Sequence, residues 1–82
     1  MKYYLILPQE LVESENNLNS TKYTLGEESF DTFYPDQGYF LLEDLSERFP
    51  DLLPHVEVKA SDGEGLTIEE FLERIEDLTV LV

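Results

Sequence analysis

Three observations predict a small α/β or α+β domain, with a single-layer sheet of three to five strands, two amphipathic helices and a C-terminal βαβ unit. His55-Val56-Glu57-Val58-Lys59 alternates apolar and polar residues, as a half-buried strand does. Ile68, Phe71, Leu72 and Ile75 recur at i, i+3, i+4 and i+7, which places four apolar side chains on one helical stripe. Leu78-Thr79-Val80-Leu81-Val82 is short, β-branched and apolar, the pattern of a strand buried on both faces. Strand, helix and strand in that order predict two parallel neighbours joined by a right-handed crossover.

From the N-terminus, Lys2 to Leu7 is rich in apolar and aromatic residues on both faces and is expected in the middle of the sheet, beside the C-terminal strand. Pro8 ends it. Gln9 to Ser20 is polar and asparagine-rich, so it reads mostly as loop, with room for a short helix near Pro8. Thr21 to Leu25 and Ser29 to Tyr34 are enriched in Thr, Tyr and Phe and fit a hairpin turning at Gly26-Glu27-Glu28. After the turn signal Pro35-Asp36-Gln37-Gly38, residues Leu41, Leu42, Leu45 and Phe49 recur at helical spacing, until Pro50 halts the helix. Asp51 to Pro54 leads to the strand at Val56, and Ser61-Asp62-Gly63-Glu64-Gly65 is dense in turn formers. Thr67 and Glu70 have the spacing of a capping box, which starts the last helix. No repeat or linker divides the chain, so residues 1–82 read as one domain.

Charge is the unusual property. Nineteen carboxylates face five Lys plus Arg, for a formal net charge of −14, while apolar content is ordinary at 41%. No basic stretch is available to bind phosphates, which argues against direct contact with nucleic acid or an anionic membrane. The absence of cysteine excludes disulfides, thiolate chemistry and cysteine-ligated zinc. Tyr3 to Leu7, the longest apolar run, is far short of the roughly 18–20 residues of a membrane span, and no signal-peptide pattern precedes it. A cytoplasmic protein is expected.

Catalytic and metal signals are weak. His55 is the only histidine, and none of the serines lies in a nucleophile-elbow setting, so no enzyme is expected. Asp62-Gly63-Glu64-Gly65 running into Glu69 superficially suggests a calcium loop, but the register fails. With Gly63 at the glycine position of an EF-hand, Val58 and Ala60 fall where oxygen ligands are needed; with Gly65 there, Phe71 replaces the bidentate glutamate. Neither a metal nor another cofactor is expected. Phe30, Phe33, Tyr34, Tyr39 and Phe40 crowd eleven residues, which suits either a small core or an interface anchor, with Phe33, Tyr34 and Tyr39 the candidates for contact.

The acidic helix faces carry the strongest functional signal. Glu69, Glu70, Glu73, Glu76 and Asp77 oppose a single Arg74, and Glu43, Asp44 and Glu47 extend the bias to the other helix. Glu69/Glu73, Glu70/Glu73, Glu73/Glu76 and Glu73/Asp77 stand three or four residues apart, so like charges neighbour one another, at a cost of about 0.2–0.5 kcal/mol per pair. Three explanations compete: an array that binds a basic surface, a halophilic adaptation, or plain solvation. A single alanine against fourteen leucines speaks against the second. The leading expectation is a small acidic binding module that docks on a basic, nucleic-acid-binding protein, as inhibitors and DNA mimics do. The alternative is a structural or assembly subunit that binds through an apolar or aromatic surface, its charge serving only solubility.

Overall fold

In the computed structural model, which describes residues 1–81, the chain runs β1 (Lys2–Ile6), α1 (Gln9–Ser14), β2 (Lys22–Ser29), β3 (Thr32–Pro35), α2 (Gln37–Arg48), β4 (Glu57–Ala60), β5 (Gly65–Leu66), α3 (Ile68–Glu76) and β6 (Thr79–Val80), with a 3-10 segment over Pro50–His55. The strands form one sheet in the order β5-β4-β1-β2-β3-β6. Alternation along β1 explains its central place: Tyr3 and Leu5 are fully buried on one face, while Tyr4 and Ile6 are half-buried on the other. The helices cover the first face only.

The mixed α/β class and single sheet agree with the sequence reading, but the sheet has six strands rather than three to five. The expected βαβ unit of neighbouring parallel strands does not form. β4 pairs antiparallel with β1, whereas β6 pairs parallel with β3 at the far edge. The reason is the turn after β4: Gly63, at φ 92°, lets the chain fold back as β5, antiparallel to β4, so α3 leaves from one sheet edge and delivers β6 to the other. β1 is therefore flanked by β2 and β4 and not by the C-terminal strand. Of that strand, only Thr79 and Val80 pair, and Val82 lies outside the described residues.

The β2–β3 hairpin exists, but it turns at Phe30-Asp31 and not at Gly26-Glu27-Glu28. Gly26 sits inside β2, where the register with β1 slips by one residue, as at a β-bulge. A Cβ there would lie 2.5 Å from the Tyr34 carbonyl oxygen and 2.6 Å from the Phe33 ring, so the position needs glycine for close approach rather than for a turn.

The core joins the layers through aromatic rings. Phe71 of α3 packs at 5.2 Å from Tyr3 of β1 and 5.7 Å from Phe33 of β3, and Phe33 in turn lies 5.7 Å from Tyr39 of α2. Leu42 and Leu45 of α2 complete the layer with Leu5, Leu25 and Val58 beneath. These contacts fix α2 and α3 side by side over one face, which sets the geometry of everything they expose.

Candidate functional site

α3 is set by its ends. Thr67 accepts a hydrogen bond from the Glu70 backbone N–H (3.1 Å), and the Glu70 carboxylate accepts one from the Thr67 N–H (3.0 Å), which completes the expected capping box. Glu70 is thereby committed to the helix. Ile68, Phe71 and Ile75 are buried, but Leu72, expected on the same stripe, is 46% exposed. It stands on the flank of α3 that looks toward Ser46 of α2 and the 3-10 segment.

That flank forms one wall of an apolar groove with a volume of about 560 Å³. Ile68 and Leu72 line it from α3; Leu53, Val56, Pro50 and Pro54 line it from the 3-10 segment and its exit; Ser46 lines it from α2. Its hydroxyls are engaged, since Ser46 Oγ donates to the Leu42 carbonyl (2.7 Å) and Thr67 Oγ1 accepts from Glu70.

Carboxylates stand along the groove. Glu69 lines it directly, and Glu69 and Glu76 lie three residues before and four after Leu72, so they share its side of the helix. Glu73 and Asp77 form the outer ridge of α3. Across the groove, Glu43 stands three residues from Ser46, and its charge, after burial, contributes to raising the Tyr39 phenol above its ordinary pKa.

No cation answers these groups. The described residues hold two arginine clusters: Arg48 pairs with Glu15 and with Asp44 (3.1 Å), and Arg74 with Glu64 (3.2 Å). Arg74 also lies beside the Tyr3 hydroxyl, which donates to Glu28 (2.7 Å). Of the acidic candidates, Asp44 is thus neutralised and Glu70 capped, while Glu43, Glu47, Glu69, Glu73, Glu76 and Asp77 have no ion pair among the described residues.

The lysines have gone elsewhere. Residues directly opposite in an antiparallel pair share a face, so Lys59 stands beside Tyr4, Lys22 beside Ile6, and Lys2 beside Glu27, all on the uncovered side of the sheet. Lys22 Nζ lies 4.5 Å from the centre of the Tyr4 ring. With Glu27 and Glu57 on the same face it is close to neutral, so nearly all of the −14 belongs to the helical side and the rim.

The aromatic candidates divide. Phe33 is fully buried and offers no contact surface, because its ring fills the centre of the core. Tyr39 is half-buried against it, and only Tyr34, 49% exposed on the open sheet face, is available in the way expected. Phe30 belongs to the aromatic cluster read from sequence but not to its three candidates for contact. It is 97% exposed at the hairpin tip and holds φ at +55°, a left-handed conformation that costs any residue with a Cβ.

His55 is exposed at the end of the 3-10 segment and borders a shallow hollow with Glu10 and Ser14. Ser14 Oγ donates to the Leu11 carbonyl (3.1 Å), and no hydrogen bond joins the three side chains among the described residues. Nor do three or more His, Asp or Glu side chains converge there in a way that could hold a metal ion. No helix among the described residues is long and apolar enough to cross a membrane.

No protein-family model matches the chain, and no curated protein or solved structure is significantly similar to it.

Proposed function

We propose that this protein is a small acidic binding module that docks its helical layer onto a basic protein surface, such as the phosphate-binding site of a nucleic-acid-binding protein. It would then act as an inhibitor or mimic by occupying that site. One observation carries the reading: Glu69 lines an apolar groove, Glu76 shares its side of α3 and Glu43 stands one turn before Ser46 on α2, none of the three in an ion pair among the described residues, while every lysine lies on the other side of the sheet. Unpaired carboxylates steer a positive partner and raise its association rate, and the groove supplies area that can be desolvated on contact.

The test uses tagged wild-type protein and E73K/E76K as paired baits for cell lysate, washed at low and at high salt. Both residues are exposed and outside the core, so the double variant folds. A basic protein held by the wild type at low salt, and lost both at high salt and on the variant, is the expected result. Retention that ignores the reversal overturns the reading.

A second reading, assembly through an apolar contact, is favoured by Phe30, whose exposed ring and strained backbone have no role in the core. Self-association that persists or strengthens in salt decides for it, because apolar contacts are not screened.

A further inference from the structure

The groove narrows the class of partner, on the premise that the acidic layer is a binding surface at all. We infer that it receives a single amphipathic, cationic helix, which seats one aliphatic or aromatic side chain on Leu53, Val56, Ile68 and Leu72 and sets lysines or arginines against Glu43, Glu69 and Glu76.

The anchor is apolar because the floor is. Four aliphatic side chains form it, against two hydroxyls, Ser46 and Thr67, that each already hold one hydrogen bond within the protein, so a polar anchor would give up more hydrogen bonds to water than the groove returns. Leu72 completes the seat: at 46% exposure it is the one apolar residue of the α3 stripe that the sheet leaves uncovered.

The flanks are cationic because the rim is acidic and unpaired. Glu69 lines the groove, Glu76 follows Leu72 by four residues on the same side of α3, and Glu43 precedes Ser46 by three residues on α2, with no ion pair to any of them among the described residues. The same charges exclude a second copy of this chain. Its own amphipathic helices, α2 and α3, carry carboxylates beside their apolar stripes, and docking them here would set acid against acid.

The occupant is helical because the walls are. α2, the 3-10 segment and α3 spend their backbone groups internally, whereas the sheet edges at β5 and β6 lie at the ends of the strand order. An extended peptide in the groove would find no ladder of free N–H and C=O groups to pair with, and a helix satisfies its own. The site is also preformed: Pro50 and Pro54 stiffen one wall and the capping box fixes the start of the other, so little ordering entropy opposes binding.

The experiment titrates the intact protein with two labelled synthetic peptides of equal charge: a Leu/Lys peptide patterned as an amphipathic helix, and a Lys/Ser peptide without apolar residues. Burial of one leucine predicts that the first binds at least about tenfold more tightly. L72S should bring it down to the level of the second, and amide NMR shifts on the wild type should concentrate at Asp51 to Leu53, at His55 and Val56, and along α3. Equal affinities with L72S silent, or shifts spread over the whole acidic surface, overturn the groove and leave the acidic-module reading standing. Failure of both peptides to bind removes both readings. The shift map needs no variant, so poor folding of L72S would not blunt the test.

Discussion

Phe30 offers a sharp test of how strain and exposure combine at one position. It is the first residue of a two-residue hairpin loop, and at φ +55° its Cβ crowds its own backbone, at a cost of about 1–2 kcal/mol. F30G removes that cost but loosens the unfolded chain, which returns about 0.4–1 kcal/mol. The ring is 97% exposed, so almost no buried area is lost with it. The balance is a net stabilisation of about 0.5–1 kcal/mol, and for a domain of this size a rise in Tm of roughly 2–8 °C. F30A is the control that isolates the cause. It deletes the ring but keeps the Cβ, so its Tm should match that of the wild type. Differential scanning calorimetry of the three proteins at one salt concentration measures both steps. A Tm of F30G at or below that of F30A would refute the reasoning, because the strain would then be absent or the ring would be stabilising the fold. If the ring contacts a partner, both variants should lose that contact equally, whatever their difference in stability.

Three further outcomes follow from named features. The Tm should rise with added NaCl, because a net charge of −14 repels itself and ions screen it over about 8 Å at physiological strength; a flat response in a thermal scan would count against self-repulsion. G26A should cost about 2–3 kcal/mol in urea unfolding, since its Cβ would meet the Tyr34 carbonyl at 2.5 Å and the Phe33 ring at 2.6 Å; near-neutral behaviour would mean that the bulge relaxes freely. Burial, then the hydrogen bond to Glu28, raises the Tyr3 phenol above its ordinary value of 10.0, so its contribution to stability is complete below about pH 10 and is lost as pH rises beyond; the alkaline limb of a stability–pH curve should therefore be shallower in Y3F.

Periodicity carried the local structure. The α3 stripe, its capping box and the α2 helix follow from spacing alone, because a helix is decided by residues within a few positions of one another. Strand pairing is not local. Val56 to Lys59 and Thr79-Val80 carry no mark of which strand they join, and the two-residue β5 that separates them was too short to give an alternation signal. Gly26 misled because glycine serves a turn and a bulge equally well, and only the ring of Phe33 against it distinguishes the two. The acidic side chains could be read as residues but not as a site: that Arg48 holds Asp44 together with the distant Glu15, and that Leu72 is uncovered, depend on neighbours the sequence does not name. Phe30 and the shared face of the three lysines left only faint signals, an aromatic in a hairpin and a lysine on alternate strand positions.

Solvation by itself accounts poorly for where the charges lie. Glu73 is a member of all four like-charge pairs along α3, so together they cost roughly 1–2 kcal/mol that one lysine at this position would turn into attraction. The protein has lysines, and it places them on the sheet face beside Tyr4, Ile6 and Glu27. Its arginines are tied to Glu15, Asp44 and Glu64 at the margins of the helical layer. A solvated surface gains nothing from such sorting, whereas a surface that meets a positive partner regains the repulsion on contact. E73K/E76K should therefore be at least as stable as the wild type in thermal unfolding and yet bind a basic partner less well. That opposition between stability and binding is the behaviour of a charge array built for another molecule, and loss of both properties together would instead assign Glu73 and Glu76 to the fold.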